Sequence, residues 1–189
     1  SNMYYSAMGF SYDSGNTWNL LSASTFLDLA SKGVNSTKDS FVKLLVSKSR
    51  KEGEPKGSIH LHGLAINPKN VDEIYVGSVS DPSVWTDVAL KGVHLYKSKD
   101  GGITWKIIGN GLPFYSESSI RDIQVSYTDP KVLYLGLSHL EALEGNGIWK
   151  SVDSGENWVR ANKGMPDDTS VHSLYIHPQN KDMVIAGTS

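Results

Sequence analysis

Cysteine is absent from the 189 residues, which excludes a disulfide scaffold and thiolate metal centres. A reducing compartment is allowed but not required, so cytoplasmic and exported settings both stay open and the localisation is unassigned. No apolar run approaches the roughly 20 residues that a membrane span needs. The first residues show no charged stretch leading into an apolar one, so no export signal is read. Excess charge is lacking too. A net charge of −2 gives no field that would gather nucleic acid or an anionic membrane, and neither is expected as a partner. A phosphate-binding glycine loop, a nucleophile elbow and a zinc-protease helix are all missing, and no cofactor is expected. His60 and His62 alternate along a predicted strand, but two histidines without a third ligand assign no metal. What remains, 39 % hydrophobic and 20 % charged, is the composition of one soluble globular domain spanning 1–189.

That domain is written as a repeat. "SYDSGNTW" at 11–18, "SKDGGITW" at 98–105 and "SVDSGENW" at 151–158 share the template Ser-x-Asp-x-Gly-x-x-Trp. Asp13, Asp100 and Asp153 form one column, Gly15, Gly102 and Gly155 the next, and Trp18, Trp105 and Trp158 the last. An aspartate can accept backbone N–H bonds a residue or two ahead, glycine supplies a positive φ, and the indole covers the hairpin end. A second phrase recurs as "LAINPKNVDEIYVGS", "IQVSYTDPKVLYLGL" and "LYIHPQNKDMVIAGT", each an alternating strand, a turn and a second strand ending at or near glycine. One unit is therefore four short strands, with the Asp turn joining the third to the fourth. Such a meander cannot bury both faces alone, so the units must stack.

These turns and their flanking phrases resemble the Asp-box, or BNR, repeats of sialidase-like, sortilin-like and xyloglucanase-like β-propellers. The resemblance implies an all-β propeller of four-stranded antiparallel blades, with the Asp turns as structural devices on the rim away from the ligand face. About three blade-equivalents are present, with one blade split between the two ends of the chain. Propellers typically have about 4–8 blades. Either the chain is a piece of a longer propeller, or two copies form a six-bladed homodimeric ring. Asp13 and Asp100 lie 87 residues apart but Asp100 and Asp153 only 53, which exposes an insertion at 22–58. Ser36 followed by Asp39, then Phe41, Leu44 and Leu45, predicts a short helix there, with a loop as the alternative.

In a propeller the innermost strand of each blade lines the axis, and loops converge on one face to bind ligand. Aligning the inner strands puts His62, Arg121 and His172 in one column, an anion-attracting mouth if they share a centre. Asp122 follows directly. The next loop offers Trp85 and Asp87, an aromatic beside a carboxylate, which suits a glycan. The expected function is non-enzymatic recognition of a protein segment, a glycan or an anionic group through this face. The first alternative is a glycoside hydrolase of the Asp-box type, with Asp87, Asp122, Glu141 and Glu144 as the carboxylate pool. The second is an assembly factor whose blades are completed by another chain. Resemblance to sialidases would imply three arginines and a tyrosine nucleophile. Here the arginines are Arg50, Arg121 and Arg160, and only Arg121 is placed for an axial role.

Overall fold

The computed structural model describes residues 7–11, 13–22, 60–79, 95–113, 118–139 and 147–189. Among them are twelve strands and no helix. The helix or loop expected within 22–58 falls, past Ser22, outside the described residues, as do Trp85, Asp87, Glu141 and Glu144.

The architecture is all-β and antiparallel. Strands β1 (Ala7–Phe10) and β2 (Asn19–Ser22) form a hairpin. A first four-stranded meander runs through β3 (His60–Asn67), β4 (Asn70–Val79), β5 (Leu95–Ser98) and β6 (Lys106–Ile108). The second comprises β7 (Ser118–Val125), β8 (Leu133–His139), β9 (Gly147–Ser151) and β10 (Val159–Arg160). One bridging pair, Val79 with Ser119, joins the two meanders into an eight-stranded sheet. Strands β11 (Val171–His177) and β12 (Asn180–Thr188) close the chain as a second hairpin.

Local chemistry sets the first reversal of each unit. The Asn67 side chain accepts the Lys69 amide at 2.9 Å, Asp129 accepts that of Lys131 at 3.2 Å, and Asn180 accepts that of Asp182 at 3.0 Å. These are Asx turns, in which the short polar side chain replaces a backbone partner.

The units pack through the first strand of each, β3 against β7 and β7 against β11. One core cluster joins Tyr75, Leu95, Ile108 and Leu112 of the first meander to Ile120, Ile123, Leu133 and Trp158 of the second. Another joins Val132, Tyr134 and Ile148 to Val171, Leu174 and Ile176. Residues 74–78 of β4, all of β5 and residues 133–138 of β8 are buried on both faces, because packing from neighbouring units covers them. Gly77 and Gly136 show how close the approach is. A Cβ at Gly77 would overlap Ile120, and one at Gly136 would overlap Val171, so in β4 and β8 the glycine near the strand end is the seat for the next unit.

Candidate functional site

The three Ser-x-Asp-x-Gly-x-x-Trp turns are built the same way. Ser11 donates its hydroxyl to Asp13 at 2.9 Å and accepts the Gly15 amide at 2.7 Å. Asp13 then accepts the Thr17 amide at 2.8 Å and the Thr17 hydroxyl at 2.6 Å, and the Trp18 indole donates to the Gly15 carbonyl at 3.1 Å. Ser98, Asp100, Gly102, Thr104 and Trp105 repeat the set, as do Ser151, Asp153, Gly155, Asn157 and Trp158. The aspartate thus reaches four residues ahead, while the serine takes the glycine amide. Two consecutive residues are left-handed: Ser14, Gly101 and Ser154 at φ 59°, 68° and 62°, then Gly15, Gly102 and Gly155 at 88°, 91° and 85°.

This hydrogen bonding fixes the protonation state. The Thr17 hydroxyl is the main cause holding Asp13 below the ordinary 3.8. At Asp100 and Asp153 burial acts first and pushes upward, but the donated bonds from Thr104 and Ser98, and from Asn157 and Ser151, outweigh it. A carboxylate with a lowered folded pKa adds stability above its unfolded value, lost as pH falls through the folded value. The unfolding midpoint is therefore expected to be level down to about pH 4 and to drop below it. An Asp100→Asn, Asp153→Asn double variant should start lower and show a shallower acid slope in thermal melts across pH. An unchanged slope would deny the turns this role.

The first strand of each unit carries a second shared feature, which the sequence does not announce. Each has a register shift at the same column. In β7, Ile120 faces Leu137 and Asp122 faces Gly136, leaving Arg121 as the extra residue. In β11 the extra residue is His172, between Val171 and Ser173. In β3, His62 and Gly63 lie between the paired Leu61 and Leu64. A bulge leaves its extra residue out of the ladder and re-aims the side chain, and such bulges cluster beside binding and active sites.

Arg121 and His62 meet across β7 and β3, guanidinium Nη1 to His62 Nδ1 at 3.0 Å. The guanidinium can only donate, so Nδ1 accepts and the ring proton of this contact's tautomer sits on Nε2. His172 lies exposed and bonds the Ser189 hydroxyl at 2.9 Å. Asp122 serves another end. Its carboxylate accepts the Ile123 amide at 2.8 Å, the Gln124 side-chain amide at 3.1 Å and the Leu174 amide at 2.7 Å, stapling β11 to β7. Among the described residues no group of three or more His, Asp or Glu side chains is placed to hold a metal, and no helix is long and apolar enough to cross a membrane.

No family model matches the chain, and no curated protein matches it. Among solved structures it is similar to the GH74 xyloglucanase of Xanthomonas campestris, with 19 % identity and a TM-score of 0.49 over 71 % of this chain. It is also similar to the GH74 enzyme of Niastella koreensis, with 17 % identity and a TM-score of 0.39 over 64 % of this chain. The chain spans 21 % and 25 % of those two chains. Likenesses of this strength carry no functional argument.

Proposed function

We propose that the meanders are blades of an Asp-box β-propeller, and that the chain is a non-catalytic recognition module for an anionic or glycan ligand. The bulged residues His62, Arg121 and His172 line its ligand face. One observation carries the reading: all three inner strands bulge at the same column, and that column holds a guanidinium and two imidazoles. A permanent cation together with imidazoles that can donate a ring N–H favours an acidic group over a neutral one. A hydrolytic role needs two free carboxyl groups roughly 5–10 Å apart. Asp122 is held by three donors, so it fits a positioning role instead.

The test is calorimetric titration with a hexuronate-containing oligosaccharide and its neutral counterpart. Preference for the acidic sugar, with at least about tenfold loss on Arg121→Ala, is the expected result, since a charge-assisted contact contributes about 1.5–3 kcal/mol. Equal binding of both sugars, or an Arg121→Ala variant that binds like the parent, would remove the anion-binding assignment.

A further inference from the structure

We propose that the β1–β2 hairpin is the outer half of the third meander, and that it takes this place on a second copy of the chain, beside that copy's β12. The inference uses the propeller reading only for how the sheets stack.

The two complete meanders show what such a hairpin needs. Within a meander, the amide of the first left-handed turn residue donates to the opposite turn: Gly101 to the Asp72 carbonyl at 3.0 Å, Ser154 to that of Lys131 at 2.9 Å. Ser14 holds the same backbone angle, and the carbonyl in the matching column is that of Asp182. Between meanders, Lys97 Nζ and the Tyr75 hydroxyl converge on the Ser154 carbonyl at 2.9 and 3.3 Å. Their column mates reach the place where a third turn would sit. Lys150 Nζ lies 3.5 Å from Asp182, and the Tyr134 hydroxyl donates to the Lys181 carbonyl at 3.3 Å.

Among the described residues, nothing fills the place where the hairpin would lie. Gly111, at φ 91°, backs onto the Trp158 backbone, whose amide donates to the Asn110 carbonyl at 2.8 Å. Gly164 has the matching φ of 92°, and a Cβ built there meets nothing within 4 Å. The third tryptophan is the one left over: Trp105 and Trp158 are each 3 % exposed, Trp18 62 %. The strand column agrees, with Tyr75 at 0 %, Tyr134 at 6 % and Ile185 at 57 %.

Residue identity follows the same pairing. Tyr75 faces Lys97 and Tyr134 faces Lys150. The same register on β12 and β1 would set Ile185 opposite Phe10, so both members of the polar pair turn apolar together.

Exposure at the other end selects a second copy over folding back on the same chain. Leu64 and Ile66 are each 49 % exposed, whereas their column mates Ile123, Val125, Leu174 and Ile176 lie between 1 % and 7 %, each covered by the preceding unit. A hairpin folded onto its own β12 leaves Leu64 and Ile66 bare. A hairpin on the partner's β11–β12, joined through 23–59 to its own β3, brings a whole meander against them. The exchange is two-fold and isologous, and six meanders fall within the usual range of about 4–8.

Light scattering of the full chain at tens of micromolar is expected to give twice 20.7 kDa, and a mass of 20.7 kDa would overturn the proposal. The lack of native cysteine allows a direct check of register. Phe10→Cys and Ile185→Cys chains, mixed and oxidised, should form the mixed disulfide dimer. A Phe10→Cys, Ile185→Cys double variant that instead closes on itself as a monomer would also overturn the exchange. Phe10→Lys alone is expected to weaken association at least tenfold, and adding Ile185→Tyr should restore it by recreating the pair of the other meanders. No restoration in a variant that keeps its β spectrum would refute the register. The solution mass is read without ligand, so failure of anion binding leaves this test standing.

Discussion

Truncating Trp158 to alanine is expected to lower the unfolding free energy by about 3–5 kcal/mol, the range for deleting a large buried aromatic. The ring is 3 % exposed and belongs to the cluster that joins the two complete meanders. Its indole donates to the Gly155 carbonyl at 2.8 Å, so the loss removes both packing and the clasp of the turn. Trp158→Phe keeps most of the apolar area and forfeits the hydrogen bond, and should fall between, with about 1 kcal/mol assigned to that bond. The same change at Trp18 gives the contrast. At 62 % exposure little area leaves water, and in the dissociated chain at low concentration Trp18→Ala should alter stability by less than about 0.5 kcal/mol. Denaturant midpoints of the two variants check this. Equal losses would mean that the indole acts only through its own turn, because that local geometry is common to both.

The turns were legible because their chemistry is local. Asp100, Gly102 and Trp105 act on partners within four residues, so spacing alone carries the motif. Even so, the carboxylate bonds the amide four residues ahead and not, as the spacing suggests, one a residue or two ahead. The serine column was in plain sight, but a hydroxyl that both donates to the aspartate and accepts from the glycine is a three-dimensional arrangement. The phrase "IQVSYTDPKVLYLGL" reads as two strands about a turn. It could not announce that Arg121 is an extra residue in its ladder, because a bulge is a count of two strands against each other. The task of Asp122 was equally hidden, since its Leu174 partner lies 52 residues away. Leu64 and Ile123 read identically in their phrases and differ in exposure by 49 % against 1 %, because burial depends on what covers a strand.

The ion pair between Lys97 and Glu73 is the other place where one side chain carries much of the fold, and nothing in the repeat singled it out. Lys97 Nζ lies 2.5 Å from Glu73, with side-chain exposures of 3 % and 13 %. The ammonium also donates to the Ser154 carbonyl and stands 5.0 Å from the centre of the Tyr75 ring. Burial pushes the Glu73 carboxyl upward, but hydrogen bonds from Lys97 and Asn67 hold it below its ordinary 4.5. Lys97→Met leaves that carboxylate buried without its cation, for an expected loss of about 3–5 kcal/mol at neutral pH. The size of the loss then depends on pH. The parent loses the contribution of Glu73 as pH falls through its lowered value. In the variant burial acts unopposed by the ammonium and Glu73 protonates early, so the gap between the two proteins should narrow on acidification. Adding Glu73→Gln to Lys97→Met removes the stranded charge while keeping an acceptor for Asn67, and should recover more than half of the loss. Lys150 occupies the same column but pairs with an exposed Asp182, so Lys150→Met should lose less than about 1 kcal/mol. A gap between Lys97→Met and parent that stays constant from pH 7 to 4 would assign the loss to the Ser154 and Tyr75 contacts, and not to the charge on Glu73.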